Sequence, residues 1–216
     1  MLFDLDETIL DRSSSLQNFV SWQAHGMLQS EVNDKNLFTE KFIKLDAHGT
    51  VWKEKVYKTL VDEFSITGWS INELVTSYEL CFSGFCQPKK GVIEAIKILK
   101  NTGKRLAVVS NGKSPFQERN FRSLGVSHLF DAVIVSEAVG LRKPEKAIFE
   151  LVCDRPEVRP EESIFIGDNP LADIKGSKEV GMYSVYIPSH YGDSCHDANI
   201  ICTSFIDLPD MVENIS

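Results

Sequence analysis

The chain has 216 residues, 43% hydrophobic and 25% charged, proportions of a soluble globular protein long enough to bury a substantial core. Its net charge of −8 argues against nucleic acid or an anionic membrane as the main partner. Five cysteines form no C-x-x-C pair, and the first residues are acidic where a signal peptide needs a basic then apolar run. No apolar stretch reaches the ~18 residues of a membrane span, so a reducing cytoplasm is the expected setting.

The chain opens on MLFDLDETIL. A short apolar run ending in acids reads as a buried strand arriving at its mouth. Asp4, Asp6 and Thr8 stand at alternate positions, and on the strand period of two Asp4 and Asp6 leave on one side. Two crowded carboxylates repel by roughly 1 to 4 kcal/mol at about 4 Å unless a cation or a shared proton relieves them. Only Met1, Leu2 and Phe3 precede Asp4, fewer than the ~5–6 residues of an ordinary strand. The natural chain is therefore expected to begin upstream.

From residue 11 the period becomes helical. Ser14 and Gln17 have capping-box spacing, and Leu16, Phe19, Val20, Ala24 and Met27 recur on one helical face. Apolar sets predict further helices over 37–45, 51–64 and 71–82, with Gly49 and Gly68 between them. Residues 14–86 thus read as a helical bundle without strands, with Trp22, Trp52 and Trp69 assigned to packing.

Beyond residue 89 the texture alternates. Helices are expected over 91–103, 114–125, 144–154 (opened by Pro144) and 169–181. Strands are expected over 105–111, 131–137, 163–168 and 183–188, with an edge strand at 200–203 and a closing helix at 207–215. Short apolar runs separated by amphipathic helices predict a parallel, doubly wound α/β sheet of Rossmann-like form. Its core would be residues 1–13 and 87–216, with the helical bundle 14–86 inserted after the first strand.

Three later stretches join the opening one. VVSNG ends in Ser110, Asn111 and Gly112; LRKPE places Lys143 before Pro144; FIGDNPLAD carries Asp168 and Asp173. Each follows an apolar run or opens a helix. Together with D-L-D-E-T, in this order, they resemble the haloacid dehalogenase superfamily, in its phosphatase branch. The resemblance implies a Mg²⁺-dependent phosphatase with a helical cap, acting on a small phosphorylated metabolite such as a sugar phosphate, nucleotide or glycolate-type acid.

It also implies roles. Asp4 would be the nucleophile that forms an aspartyl-phosphate, and Asp6 the acid and then the base. Thr8 would orient Asp6 or its loop. The Asp4 carboxylate, Asp6 carbonyl and Asp168 carboxylate would hold Mg²⁺, with Asp173 behind them on Lys143 or a metal water. Ser110, Asn111 and Lys143 would bind the phosphate, with Lys143 holding Asp4 ionised. Four carboxylates against one lysine and one Mg²⁺ leave a site near neutral once Asp6 is protonated, so a phosphate can enter.

Asp6 separates the branches. A departing halide needs no proton, and dehalogenases of the superfamily have no acid there. Glu7 replaces a glycine common in many members, and D-L-D-E-T also occurs in members that act on phosphoproteins, which lack a large insertion at this point. A phosphoryl mutase or transferase on the same core, and a binding module without catalysis, remain open alternatives. The five histidines, His25, His48, His128, His190 and His196, show no metal-ligand spacing. The connections at 11–13 and 85–88 are the expected hinges of a lid, with loop 46–50, including His48, the expected contributor to specificity.

Overall fold

The computed structural model describes residues 1–154 and 158–215. The chain forms two compact units, Met1–Asp11 with Pro88–Ser216, and Arg12–Gln87. No helix among the described residues is long and apolar enough to cross a membrane.

The second unit is helical: α1 (Arg12–His25), α2 (Lys35–Asp46), α3 (Lys53–Phe64) and α4 (Ile71–Cys81). Helix α1 starts at Arg12, so Ser14 lies inside it rather than capping it. The start of α4 has the capping box instead. There the Ser70 Oγ accepts from the Glu73 N–H, and the Glu73 carboxylate accepts from the Ser70 N–H at 2.8 Å. Phe19 packs edge-on against Tyr78, Phe82 and Phe85, and Phe42 against Tyr57, the edge-to-face geometry that aromatic quadrupoles favour. The buried polar atoms pair with one another: the Tyr57 hydroxyl donates to Gln23 Oε1 at 2.9 Å, and Gln23 Nε2 donates to Ser77 Oγ at 3.0 Å.

Buried Asp46 ends α2. It accepts from both terminal nitrogens of Arg12, at 2.9 and 3.1 Å, and from the Gly49 N–H at 2.8 Å, with the Lys53 ammonium at 2.5 Å. Ala47 and His48 follow in the left-handed region, at φ 45° and 56°. Trp52 does not pack in the core as its hydrophobicity predicted; it is 68% exposed at the start of α3, where it precedes the first helical residue.

The first unit is a six-stranded parallel sheet. Its strands are β1 (Leu2–Phe3), β2 (Ala107–Ser110), β3 (Ala132–Val135), β4 (Ile164–Gly167), β5 (Tyr183–Tyr186) and β6 (Ile200–Ile201). Their order across the sheet is β3-β2-β1-β4-β5-β6. Helices α5 (Val92–Asn101), α6 (Phe116–Ser123), α7 (Ser136–Val139), α8 (Lys146–Asp154), α9 (Gly176–Lys178) and α10 (Leu208–Glu213) complete it. Apolar residues at helical spacing face the sheet: Val92, Ala95, Ile96 and Leu99 on α5, and Ile148, Phe149, Val152 and Cys153 on α8. The α8 set packs with Val109, Ile134, Phe165 and Met182 into one continuous core. Helix α8 begins at Lys146, which leaves Pro144 in the preceding loop rather than at the first helical position.

Strand β1 lies between β2 and β4, paired through Leu2 with Ala107 and Phe165 and through Phe3 with Val108 and Ile166. It ends at Phe3. Asp4 still donates its N–H to the Ile166 carbonyl, but the chain then turns. The N–H groups of Thr8, Ile9 and Leu10 all point at the Leu5 carbonyl, and Glu7 sits at φ 58°. The strand period therefore does not extend to Asp6 and Thr8, which leave from a tight turn. The turn is stitched to the returning chain: Lys89 donates its N–H to the Ile9 carbonyl, Leu10 bridges to Pro88, and the Lys89 ammonium pairs with Glu7 at 2.6 Å.

Candidate active site

In a doubly wound sheet, ligand-binding groups collect beyond the carboxyl ends of the strands where the order reverses. Here that point lies between β1 and β4. Asp4 follows β1 and Asp168 follows β4, so the register of two neighbouring strands puts both carboxylates there. Asp173 comes from a π-helical turn, Pro170–Lys175, whose start is capped by the Asn169 side chain accepting from the Leu171 and Ala172 N–H groups. The turn folds back on itself, with Asp173 Oδ2 accepting from the Asn169 N–H at 3.0 Å. Gly167 makes this approach possible, since a Cβ there would sit 2.5 Å from Asp173 Oδ2.

Lys143 enters from the loop before α8 and is 3% exposed. Its ammonium lies 2.5 Å from Asp4 Oδ1 and 2.7 Å from Asp173 Oδ1; the second contact is an ion pair whose angles are poor for a hydrogen bond. Asn111 fixes the backbone of that lysine, its Oδ1 accepting from the Lys143 N–H and its Nδ2 donating to the Lys143 carbonyl, both at 2.9 Å. The Asn111 side-chain amide is thereby committed to Lys143, because a loop carrying a buried ammonium needs its own backbone groups satisfied, and a phosphate contact at this position would come from the backbone N–H.

One ligand atom from each of Asp4, Asp168 and Asp173 lies within 4.8 Å of the others, and all three residues are buried. Burial pushes the Asp4 carboxyl up to about 7; Lys143 opposes this, while Asp173 and Asp6 add to it. Burial likewise pushes Asp168 up to about 9, reinforced by the charges of Asp4 and Asp173. Burial disfavours the Lys143 charge, but Asp173 and Asp4 outweigh it and raise its pKa above the usual range. One ammonium is thus too little charge for three buried carboxylates. The all-oxygen donor set fits a hard divalent cation such as Mg²⁺, with Asp173 in the same group as the two expected carboxylate ligands.

Ser110 ends β2, buried, and Asp6 stands on the turn after β1. They meet through a residue with no place in the sequence motifs. Gln117, on α6, donates from Nε2 to Asp6 Oδ2 at 2.8 Å and to Ser110 Oγ at 3.0 Å. The Thr8 hydroxyl is buried with no hydrogen-bond partner, so of the two roles expected of Thr8 it is the loop that the structure supports, its N–H donating to the Leu5 carbonyl within the turn; Asp6 is contacted by Gln117. A signal for Gln117 was present. Gln117 and Asn120 occupy the same helical face as Phe121 and Leu124, where an amphipathic helix should be apolar. Ser189 and Tyr191 were also missed. Ser189 hydrogen-bonds the Asp168 carboxylate, and the Tyr191 hydroxyl accepts from Asn169 Nδ2 at 2.7 Å. Burial and the charges of Asp168, Asp173 and Asp4 raise the pKa of that phenol. Both sit in a loop after β5 that no regular pattern marks.

The assembled groups offer a buried carboxylate beside an ammonium, a second carboxyl on a turn, a strand-end hydroxyl and a cluster of oxygen donors. Comparison with known proteins agrees with this inventory. Residues 1–187 match the family model of haloacid dehalogenase-like hydrolases. The glyceraldehyde 3-phosphate phosphatase of Methanocaldococcus jannaschii is 27% identical over 224 aligned residues, spanning 100% of this chain and 97% of that protein. The enzyme of the same name from Methanopyrus kandleri is 25% identical over 193 residues, spanning 87% and 82%. The solved structure of the HAD-hydrolase YfnB from Bacillus subtilis, bound to magnesium, superposes with a TM-score of 0.77 at 24% identity, covering 98% of this chain and 96% of that one.

Proposed function

Since the chain belongs to the haloacid dehalogenase-like hydrolases, we propose that it is a Mg²⁺-dependent phosphatase of a small phosphomonoester. The observation that carries this reading is the meeting of Asp4, Lys143, Asp168 and Asp173 at the carboxyl ends of β1 and β4. The acid at position 6 and the relatives named as phosphatases favour phosphoryl chemistry over dehalogenation.

Asp4 attacks phosphorus, the bond from phosphorus to the leaving oxygen breaks, and Asp6 gives that oxygen its proton. Water, losing a proton to Asp6, then attacks the phosphorylated Asp4 and releases inorganic phosphate. The Ser110 hydroxyl and the Lys143 ammonium hold the phosphate oxygens against the charge of the nucleophile. Asp4, Asp168 and the Asp6 carbonyl would hold Mg²⁺, with Asp173 beside them; when bound, it supplies the positive charge a phosphate dianion needs to approach a carboxylate. Thr8 supports the turn rather than the proton transfer.

Residues 12–87 are proposed to act as the cap that selects among substrates, with loop 46–50 its contact. Replacing them by a short linker should lower kcat/KM and change the substrate ranking; a folded core with unchanged kcat/KM and ranking would reject this. The primary test is a screen of phosphomonoesters with Mg²⁺, beginning with glyceraldehyde 3-phosphate, the compound named for the relatives. Release of phosphate from at least one small ester, abolished by EDTA, is the expected result. No turnover of any ester by the metal-supplemented protein would overturn the reading.

A further inference from the structure

We propose that Gln117 is a positioning residue whose amide decides which oxygen of Asp6 delivers the proton and which way the Ser110 hydroxyl donates. This rests on the roles given above to Asp6 and Ser110. The geometry is specific. Nε2 carries two hydrogens and no acceptor site, and it contacts Asp6 Oδ2 and Ser110 Oγ together. Asp6 Oδ2 must therefore accept, which leaves Oδ1 to carry and hand over the proton. Ser110 Oγ must also accept, which turns its own hydrogen away from Gln117 and toward a phosphate oxygen.

The orientation of the amide is set from behind. Asn120 Nδ2 approaches Gln117 Oε1 at 3.3 Å. Flipping Gln117 would face that donor with a donor and aim Oε1 at a carboxylate oxygen. The side chain is buried, and it fits only because residue 112 is glycine: a Cβ there would lie 2.7 Å from Gln117 Cγ. An amide also suits a group that changes roles, because it keeps the same contact whether or not Asp6 carries its proton. Glutamate at this position could not donate when ionised, and lysine would add a charge.

The test compares leaving groups. Gln117→Met keeps the length and removes the donor; Gln117→Glu keeps the shape, and its ionised form cannot donate, so either variant serves if the other fails to fold. With p-nitrophenyl phosphate, whose leaving group needs no proton, kcat/KM should fall by less than about fivefold, reflecting Ser110 alone. With phenyl phosphate and an alkyl ester such as glycerol phosphate the loss should grow, reaching about 30- to 100-fold, part of the 10²–10⁴ that proton donation supplies. Equal losses on all three esters, or losses below threefold throughout, would overturn the proposal. Asp6→Asn is the reference. If it shows the same dependence on leaving group and the Gln117 variants do not, Gln117 alone is rejected; if Asp6→Asn lacks that dependence, the acid role of Asp6 falls, and this proposal with it.

Discussion

At the scale of single residues, the site is defined by what each side chain is already bonded to. Asp4 faces Lys143 and is crowded by Asp173, so removing its charge relieves repulsion while destroying the proposed nucleophile. Asp4→Asn should keep or slightly raise the thermal midpoint and lose about a thousandfold or more of turnover. Activity within tenfold of wild type, measured with the melt, would refute the nucleophile. The residues legible in the sequence were those the ordered motifs single out: Asp4, Ser110 and Asp168 at or just after strand ends, Lys143 in a loop and Asp173 in a helical turn. Asn111 was legible as a site residue, but the bonds of its side chain to the Lys143 backbone were not, because they join positions 32 apart in sequence. Gln117 was hidden because its partners are 7 and 111 positions away in sequence.

At the scale of elements, the apolar runs located every strand, while the periodicities overran their ends. The strand alternation drawn through Asp6 failed because the chain turns after Asp4, with Glu7 at a left-handed φ of 58°. The end of α2 shows the opposite case, a buried charge cluster that apolar periodicity cannot mark. Burial penalises the Asp46 carboxylate, but Arg12 and Lys53 outweigh it and hold its pKa below the usual range. A depressed carboxylate contributes stability above its unfolded pKa of about 3.9 and loses it as pH falls through the folded value. Asp46→Asn should cost about 3–5 kcal/mol near neutral pH, because it takes the charge partner from the buried Arg12 guanidinium and from Lys53. In chemical denaturation the gap from wild type should be full at pH 6 and narrow below pH about 4. A gap that is constant down to pH about 3 would show that the charge of Asp46 is not what matters.

At the scale of the whole molecule, the parallel class of the sheet followed from alternating elements, but the strand order did not; the family resemblance supplied part of it, since it implies a central first strand beside the strand ending in the G-D motif, as β1 and β4 are. That order depends on which runs pair, and four-residue strands of three or four apolar residues are nearly interchangeable in pattern. It matters because it places Asp4 next to Asp168. With Asp4 raised to about 7 and Asp168 to about 9, the folded metal-free protein holds protons that the unfolded chain has lost above pH about 4. Its stability therefore declines as pH rises through those values. Mg²⁺ bound as proposed would compete for the same oxygens, so the rise in thermal midpoint that it produces should grow from pH 6 to pH 8.5. Scanning fluorimetry with and without Mg²⁺ tests this; a shift that is absent or independent of pH would remove the assigned ligands.

The stitching of Ile9, Leu10 and Glu7 to Pro88 and Lys89 reaches beyond the site. To the sheet, everything between those ends is an oversized hairpin loop closed at its neck. The entropy of closing such a loop grows with the logarithm of its length, only about 0.6 kcal/mol per doubling. The sheet is thus nearly indifferent to how much chain is hung there, provided the hanging piece brings its own termini together. A lineage can exchange that piece for a larger, smaller or unrelated one without renegotiating the strands below, and a laboratory graft at the same neck inherits the same freedom.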